Sequence, residues 1–222
     1  MLGLLRSVQR RTVSALHRSL STVRVVAPSS KRELALPLAF VSVKGWDKEG
    51  LLGWESWTKA FSQKGYSSLL CEVDPMHAVA RLGSPSLILA ALERELVRLL
   101  QDPAHSSPFP PLLFTHGPSS LLAETYVSSH PLSGLCLVSP TPASSAHAIL
   151  PHMFQPPLDE FNYEPGFPIA VVDQGGRTAK EHRLAREFAE EEDDEALVRI
   201  IDARRDDQGW QEVQDWMDEN GL

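Results

Sequence analysis

Cysteine is scarce in this 222-residue chain. Only Cys71 and Cys136 are present, each inside an apolar run. They read as buried thiols and not as a disulfide framework or a metal pair. Long hydrophobic runs are missing as well. None approaches the ~18 consecutive apolar residues of a membrane-spanning helix, and those near Leu34–Val43 and Leu112–Phe114 are strand-length. The histidines follow no H-x-x-x-H or H-E-x-x-H spacing, and His147 and His152 lie one residue too far apart for one helical face. No metal and no cofactor is therefore expected. No internal repeat is visible. A hydrophobic content of 42% suits one globular domain with a full core.

Acidic residues are absent from the first 32 positions, which carry Arg6, Arg10, Arg11, Arg18, Arg24, Lys31 and Arg32 before the first carboxylate at Glu33. The remaining 190 residues hold 14 Lys and Arg against 29 Asp and Glu, a net of −15 within a whole chain of formal charge −8. Such a body excludes the basic face that nucleic-acid binding needs. On a helical projection Arg6, Arg10, Arg11, His17 and Arg18 share one arc, and Leu2, Leu4, Leu5, Val8, Val13, Leu16 and Leu20 share the other. A basic, Ser-bearing, acid-free amphipathic start is the pattern of a mitochondrial transit peptide. The blander readings are a disordered basic tail or a surface helix. His17-Arg18-Ser19-Leu20-Ser21 resembles a matrix-peptidase site, with cleavage after Leu20. Residues 1–20 are thus expected to be the transit peptide, 21–33 a disordered linker, and 34–222 the folded domain.

Along that domain strand and helix patterns alternate. Strands are expected at Leu34–Val43, Tyr66–Val73, residues 111–115, Leu132–Ser139, Phe167–Asp173 and Ala196–Asp202. Between them fall helices over Gly53–Lys64, capped by Gly65, then Ser86–Gln101, residues 118–130, Thr178–Glu191 and Gln208–Asn220. Pro140–Gly166 is rich in Pro, Ser and His and reads as a short lid over the sheet's carboxyl edge. Glu190–Glu195 is six acids in a row, a solvated bend. Alternation of this kind implies an α/β fold, a mostly parallel sheet covered by helices on both faces. Ligands on such sheets sit beyond the carboxyl ends of the strands.

The segment Leu112-Leu113-Phe114-Thr115-His116-Gly117-Pro118-Ser119-Ser120-Leu121-Leu122 reads as a buried strand, a sharp turn and a helix start. Lys44-Gly45-Trp46 ends an earlier strand in a turn, and Asp74-Pro75-Met76 ends the next. With His130-Pro131, Leu135–Pro140, Phe167–Val172, Leu197–Asp202, Gly209-Trp210 and Asp215-Trp216-Met217, these pieces resemble in order and spacing the α/β-hydrolase superfamily. The likeness is greatest to its small single-domain esterase and thioesterase branches. The resemblance runs from about Leu36 to the end of the chain. It implies an α/β-hydrolase-like fold, a nucleophile elbow at His116-Gly117-Pro118 and an oxyanion turn at Gly45-Trp46.

The departures are as specific as the matches. The nucleophile position falls on Gly117, which has no attacking atom, and the next residue, Pro118, has no backbone N–H for an oxyanion. The acid falls near Gly176-Arg177-Thr178 and the base in Ala203-Arg204-Arg205-Asp206, and no histidine follows His182. Gly117 and Pro118 also suit the turn without any chemistry, since glycine tolerates a positive φ and proline opens a helix well. A rival register takes Gly117-Pro118-Ser119 as G-x-S, with Ser119 as nucleophile and the Ser120 N–H as donor. It misplaces the apolar pair Leu121-Leu122 relative to the turn and lacks the closing glycine.

Gln174-Gly175-Gly176-Arg177 reads as a plain turn rather than an anion site, Asp74 as an ordered turn at the sheet edge, and Trp46, Trp54 and Trp57 as core. Two functions are expected. One is a non-catalytic protein of the mitochondrial matrix that meets a protein partner, of unknown identity, through the lid and carboxyl edge. The other is a divergent serine esterase or thioesterase using Ser119, served by His116, His147, His152 or His182 from an unusual place.

Overall fold

The computed structural model describes residues 21–76, 78, 83–176, 180–189 and 196–222. The amphipathic leader 1–20, the acidic run Glu190–Glu195 and residues Arg177 and Thr178 of the expected acid turn lie outside the described residues.

Among the described residues seven strands form one sheet: β1 (Thr22–Val26), β2 (Leu38–Val43), β3 (Ser68–Val73), β4 (Leu112–His116), β5 (Gly134–Val138), β6 (Ile169–Val172) and β7 (Val198–Ile201). Their order across the sheet is β1-β3-β2-β4-β5-β6-β7. All neighbours run parallel except β1, which lies antiparallel to β3 with Val23 opposite Cys71 and Val26 opposite Ser68. Among the described residues the helices are α1 (Glu55–Lys64), α2 (Pro85–Leu100), α3 (Ser120–Val127), α4 (Ala146–Ile149), α5 (Arg183–Phe188) and α6 (Asp207–Glu219). A 3-10 turn over Gly50–Trp54 leads into α1 and another over Gly117–Ser119 leads into α3.

The central strands are buried along their whole length, which is why β2 and β5 read as continuous apolar runs. Their alternate residues feed two cores. Phe40, Phe114, Cys136 and Ala170 meet Trp54, Trp57 and Phe61 from the α1 side and Val213, Trp216 and Met217 of α6. Ala39, Val41, Leu113, Leu137 and Val171 meet Leu89, Leu92 and Leu96 of α2 and Leu121 and Leu122 of α3. Phe40 and Phe114, partners across β2 and β4, stack with ring centroids 4.6 Å apart. Each such fully buried ring contributes about 1.5–3 kcal/mol over leaving it in water. Gly65 ends α1 in the left-handed region, φ +105°, and returns its N–H to the carbonyls of Phe61 and Ser62.

The expected linker is corrected. Residues 22–26 are a strand of the sheet, not a disordered tether. Thr-Val-Arg-Val-Val is β-branched and suits an edge position, but its partner lies some fifty residues on at β3, a pairing no local pattern reports. Elements elsewhere shift by a few residues. β2 begins at Leu38, because Leu34 and Leu36 lie in the loop that packs on the α1 side, where the Leu34 N–H donates to Gly65 O. Pro85, one residue earlier than expected, opens α2. The Pro140–Gly166 excursion carries one 3-10 turn and α4, then crosses the core without regular structure and buries Phe154 completely.

Candidate functional site

The elbow forms as strand, turn and helix. β4 delivers His116 in extended conformation, Gly117 turns the chain at φ +55°, and Pro118 sits in the first turn of the 3-10 segment that becomes α3. Gly117 is buried, yet a Cβ built on it would have no heavy atom within 4 Å beyond its chain neighbours, so the apex has room for a side chain. Ser119 does not share that space. It is 1% exposed, and its Oγ accepts the N–H of Val43 at 3.0 Å, tying α3 to the end of β2. Ser120 is buried too, and its Oγ accepts the Thr141 N–H at 3.1 Å, tying the elbow to the start of the lid. Both hydroxyls thus complete backbone groups of neighbouring loops.

At the oxyanion-turn position Gly45 adopts φ +81°. The Trp46 N–H closes its own turn onto Val43 O at 3.0 Å. The Trp46 ring is 6% exposed and lies edge-on to Phe154 of the lid, with centroids 5.6 Å apart. Its indole N–H points to the Met153 sulfur at 3.2 Å. Pro118 supplies no N–H, and the Trp46 N–H is taken up within its own turn.

Beside the elbow stands a charged cluster that local pattern does not announce. His116 Nδ1 lies 2.9 Å from Asp47 Oδ2. Arg205, from the stretch where the family's base falls, donates through Nη1 to the same Asp47 oxygen at 3.2 Å and through Nη2 to Glu49 at 2.5 Å. Its guanidinium lies over the Trp54 ring, 4.9 Å from the centroid. The Arg205 and Asp47 side chains are only 6% and 8% exposed. Burial first, and the Arg205 charge second, hold the His116 ring below its ordinary value of 6.5, against the pull of Asp47. The neutral form of the ring is accordingly favoured, oriented by the Asp47 carboxylate and beside the Arg205 guanidinium. The parts lie in segments 47–49, 116 and 205, and only the sheet's carboxyl edge brings them together. The only hint in the sequence was Arg205 in the base's stretch.

A second buried pair was equally hidden. His182 Nε2 stands 3.4 Å from Glu124 Oε2, with both side chains nearly inaccessible. Glu124 belongs to α3, and His182 precedes α5. Arg183 donates to the carbonyl of Tyr163 from the lid at 2.9 Å, and burial, then the Glu124 charge, raises the Tyr163 hydroxyl far above its ordinary range. His182 is therefore paired with α3, and its neighbour Arg183 with the lid. His147 and His152 stand exposed on the lid. Asp74 forms the expected ordered turn, its carboxylate accepting the Met76 N–H at 2.9 Å. Gly175 and Gly176 both have positive φ, and the Gly175 N–H is held by Asp202 at 2.7 Å. Trp54 and Trp57 are fully buried core. Among the described residues no group of three or more His, Cys, Asp or Glu could hold a metal ion. No helix among them is long and apolar enough to cross a membrane.

No family model matches the chain and no curated protein matches its sequence. Solved structures do match its fold. An α/β-hydrolase enzyme from the metagenome of lagoon sediments at Mar Chica, Morocco, superposes with a TM-score of 0.62 at 11% identity, over 92% of this chain and 98% of that one. The thioesterase domain from the curacin biosynthetic pathway matches with a TM-score of 0.53 at 11% identity, covering 90% and 95% of the two chains. A proline iminopeptidase-related protein from Thermus thermophilus matches with a TM-score of 0.50 at 13% identity, covering 92% and 95%. The fold is that of the α/β-hydrolases, a mostly parallel seven-stranded sheet with helices on both faces.

Proposed function

We propose that this chain is a non-catalytic α/β-hydrolase-fold protein of the mitochondrial matrix that acts as a binding or assembly partner of another protein. One observation carries the reading: the elbow keeps its positive-φ geometry and has room for a side chain at its apex, yet that apex is Gly117 followed by Pro118. Acyl transfer needs a nucleophile, a base that takes its proton and a donor pair for the oxyanion. The apex has no nucleophile. The base's stretch sends Arg205 onto Asp47 and Glu49, and the Trp46 N–H is engaged within its turn. Loss of a single oxyanion donor alone costs about 2.7–4 kcal/mol of transition-state stabilisation.

The second reading, a serine esterase or thioesterase using Ser119, rests on the G-x-S spacing. Against it stands the burial of Ser119 and the use of its Oγ by Val43. The two readings separate when the purified protein meets a fluorophosphonate probe and a generic aryl ester. The expected result is neither labelling nor turnover above buffer. Labelling that disappears in a folded Ser119→Ala variant would establish the hydrolase instead.

The matrix location rests on the acid-free amphipathic leader, and cleavage after Leu20 would leave Ser21 first, directly before β1. The Ser21 Oγ accepts the Asp74 N–H at 2.9 Å, so a cut there would spare the sheet. The first 30 residues fused to a reporter should carry it into mitochondria; a reporter that stays in the cytosol removes this part of the proposal.

A further inference from the structure

β1 is the edge of the sheet, and among the described residues no strand pairs with its outer side. An edge strand turns half of its backbone N–H and C=O groups outward as a template for another strand. Beside it, between β1 and α1, runs an open groove of about 430 Å³ lined in part by Arg24, Val26, Glu55, Thr58, Lys59 and Gln63. Arg24 and Lys59 are exposed, and neither makes an ion pair among the described residues. On the opposite face of the same strand Val25 is 50% exposed. The charge of the chain is divided accordingly. Residues 21–66, which include β1 and α1, hold seven Lys and Arg against four Asp and Glu, whereas residues 67–222 hold ten against 25. The groove itself carries Arg24 and Lys59 against one carboxylate, Glu55, on an acidic body.

We propose that the outer edge of β1 docks an extended segment of a partner protein in which acidic and apolar residues alternate. Side chains of a strand alternate between faces. The partner's carboxylates would enter the α1 groove toward Arg24 and Lys59, and its apolar residues would lie beside Val25. Main-chain hydrogen bonds supply affinity in such strand addition, and the alternating side chains supply specificity. A second copy of this chain fits poorly. Antiparallel pairing of two β1 strands about their middle residue sets Arg24 against Arg24, and like charges directly opposite are unfavourable. This proposal does not depend on whether the elbow is catalytic.

Fluorescence anisotropy of the whole protein with an end-blocked, labelled Thr-Glu-Val-Glu-Val-Glu-Thr peptide tests it. Saturable binding is expected, with slowed hydrogen exchange at the amides of Thr22–Val26. A peptide with both Val replaced by Pro keeps the charge and loses two N–H donors, and one with Glu replaced by Lys reverses the charge. Each should bind at least about tenfold more weakly, as should the intact peptide to Arg24→Glu and Lys59→Glu proteins. The peptide comparisons use the unaltered protein and so stand even if a variant misfolds. The proposal is overturned by absence of saturable binding or by equal binding of the proline peptide. It is equally overturned by a dimer, formed without peptide, that protects the β1 amides.

Discussion

Gly117 and Gly53 make opposite demands on the chain, and the difference is measurable. Gly117 has a conformation that disfavours other residues but space for a Cβ, so Gly117→Ala should cost about 1–2 kcal/mol, the left-handed penalty alone. Gly53 has an ordinary φ, yet a Cβ there would overlap the Arg205 guanidinium. Gly53→Ala should therefore cost more than Gly117→Ala in chemical denaturation, because it displaces Arg205 from Asp47 and Glu49. Removing the guanidinium by Arg205→Ala leaves the Asp47 carboxylate, 8% exposed, without its cationic partner and with the His116 ring as its remaining side-chain partner in this cluster. A loss of about 3 kcal/mol is expected, as for breaking a buried pair.

The same cluster fixes a pH dependence. His116 is held below 6.5 in the folded protein mainly by burial and next by Arg205. A histidine whose folded value is depressed favours the folded state above its unfolded value, and that stability is lost as the pH falls through the folded value. An NMR titration of the His116 ring should give a midpoint below 6.5, and Arg205→Ala should move that midpoint upward. A midpoint at or above 6.5 in the unaltered protein would contradict the described packing.

At the scale of elements, the last helix shows how an end is secured. Asp206 stands at the N-cap of α6 and its carboxylate accepts the Gly209 N–H at 3.0 Å, while its carbonyl accepts the Trp57 indole N–H at 2.9 Å. Asp206→Ala should cost about 1 kcal/mol by thermal denaturation, the usual worth of such a cap. The Trp57 bond, made to the main chain, should survive. Helix limits were largely legible where caps are local: Gly65, Pro85 and Gly221 sit at or within a residue of the ends their chemistry implies. β1 was not legible, because an edge strand of five residues takes its stability from β3 rather than from its own pattern.

For the whole molecule, the lid and the elbow belong to one packed body. Phe154 is fully buried against Trp46, and Ser120 binds both polar groups of the Thr141 main chain. The carboxyl edge is consequently closed over by the chain itself in the region that the family resemblance assigns to the oxyanion turn. The cations Arg24 and Lys59 of the β1–α1 groove and the acidic body give the molecule an electrical asymmetry that steers where a charged partner approaches.

The amino-acid sequence by itself determined the alternation of strands and helices, the parallel character of the sheet, and the glycine at the elbow apex. These follow from periodicity, cap chemistry and residue identity, all of which act over a few neighbouring positions. Tertiary structure alone decided that Ser119 is a buried acceptor for Val43, and that Arg205 lies on Asp47, Glu49 and Trp54. It alone decided that Glu124 meets His182 and that Thr22–Val26 completes the sheet. Those arrangements join residues about 50 to 160 positions apart, and burial and charge pairing select them only once the sheet has brought its carboxyl ends to one edge.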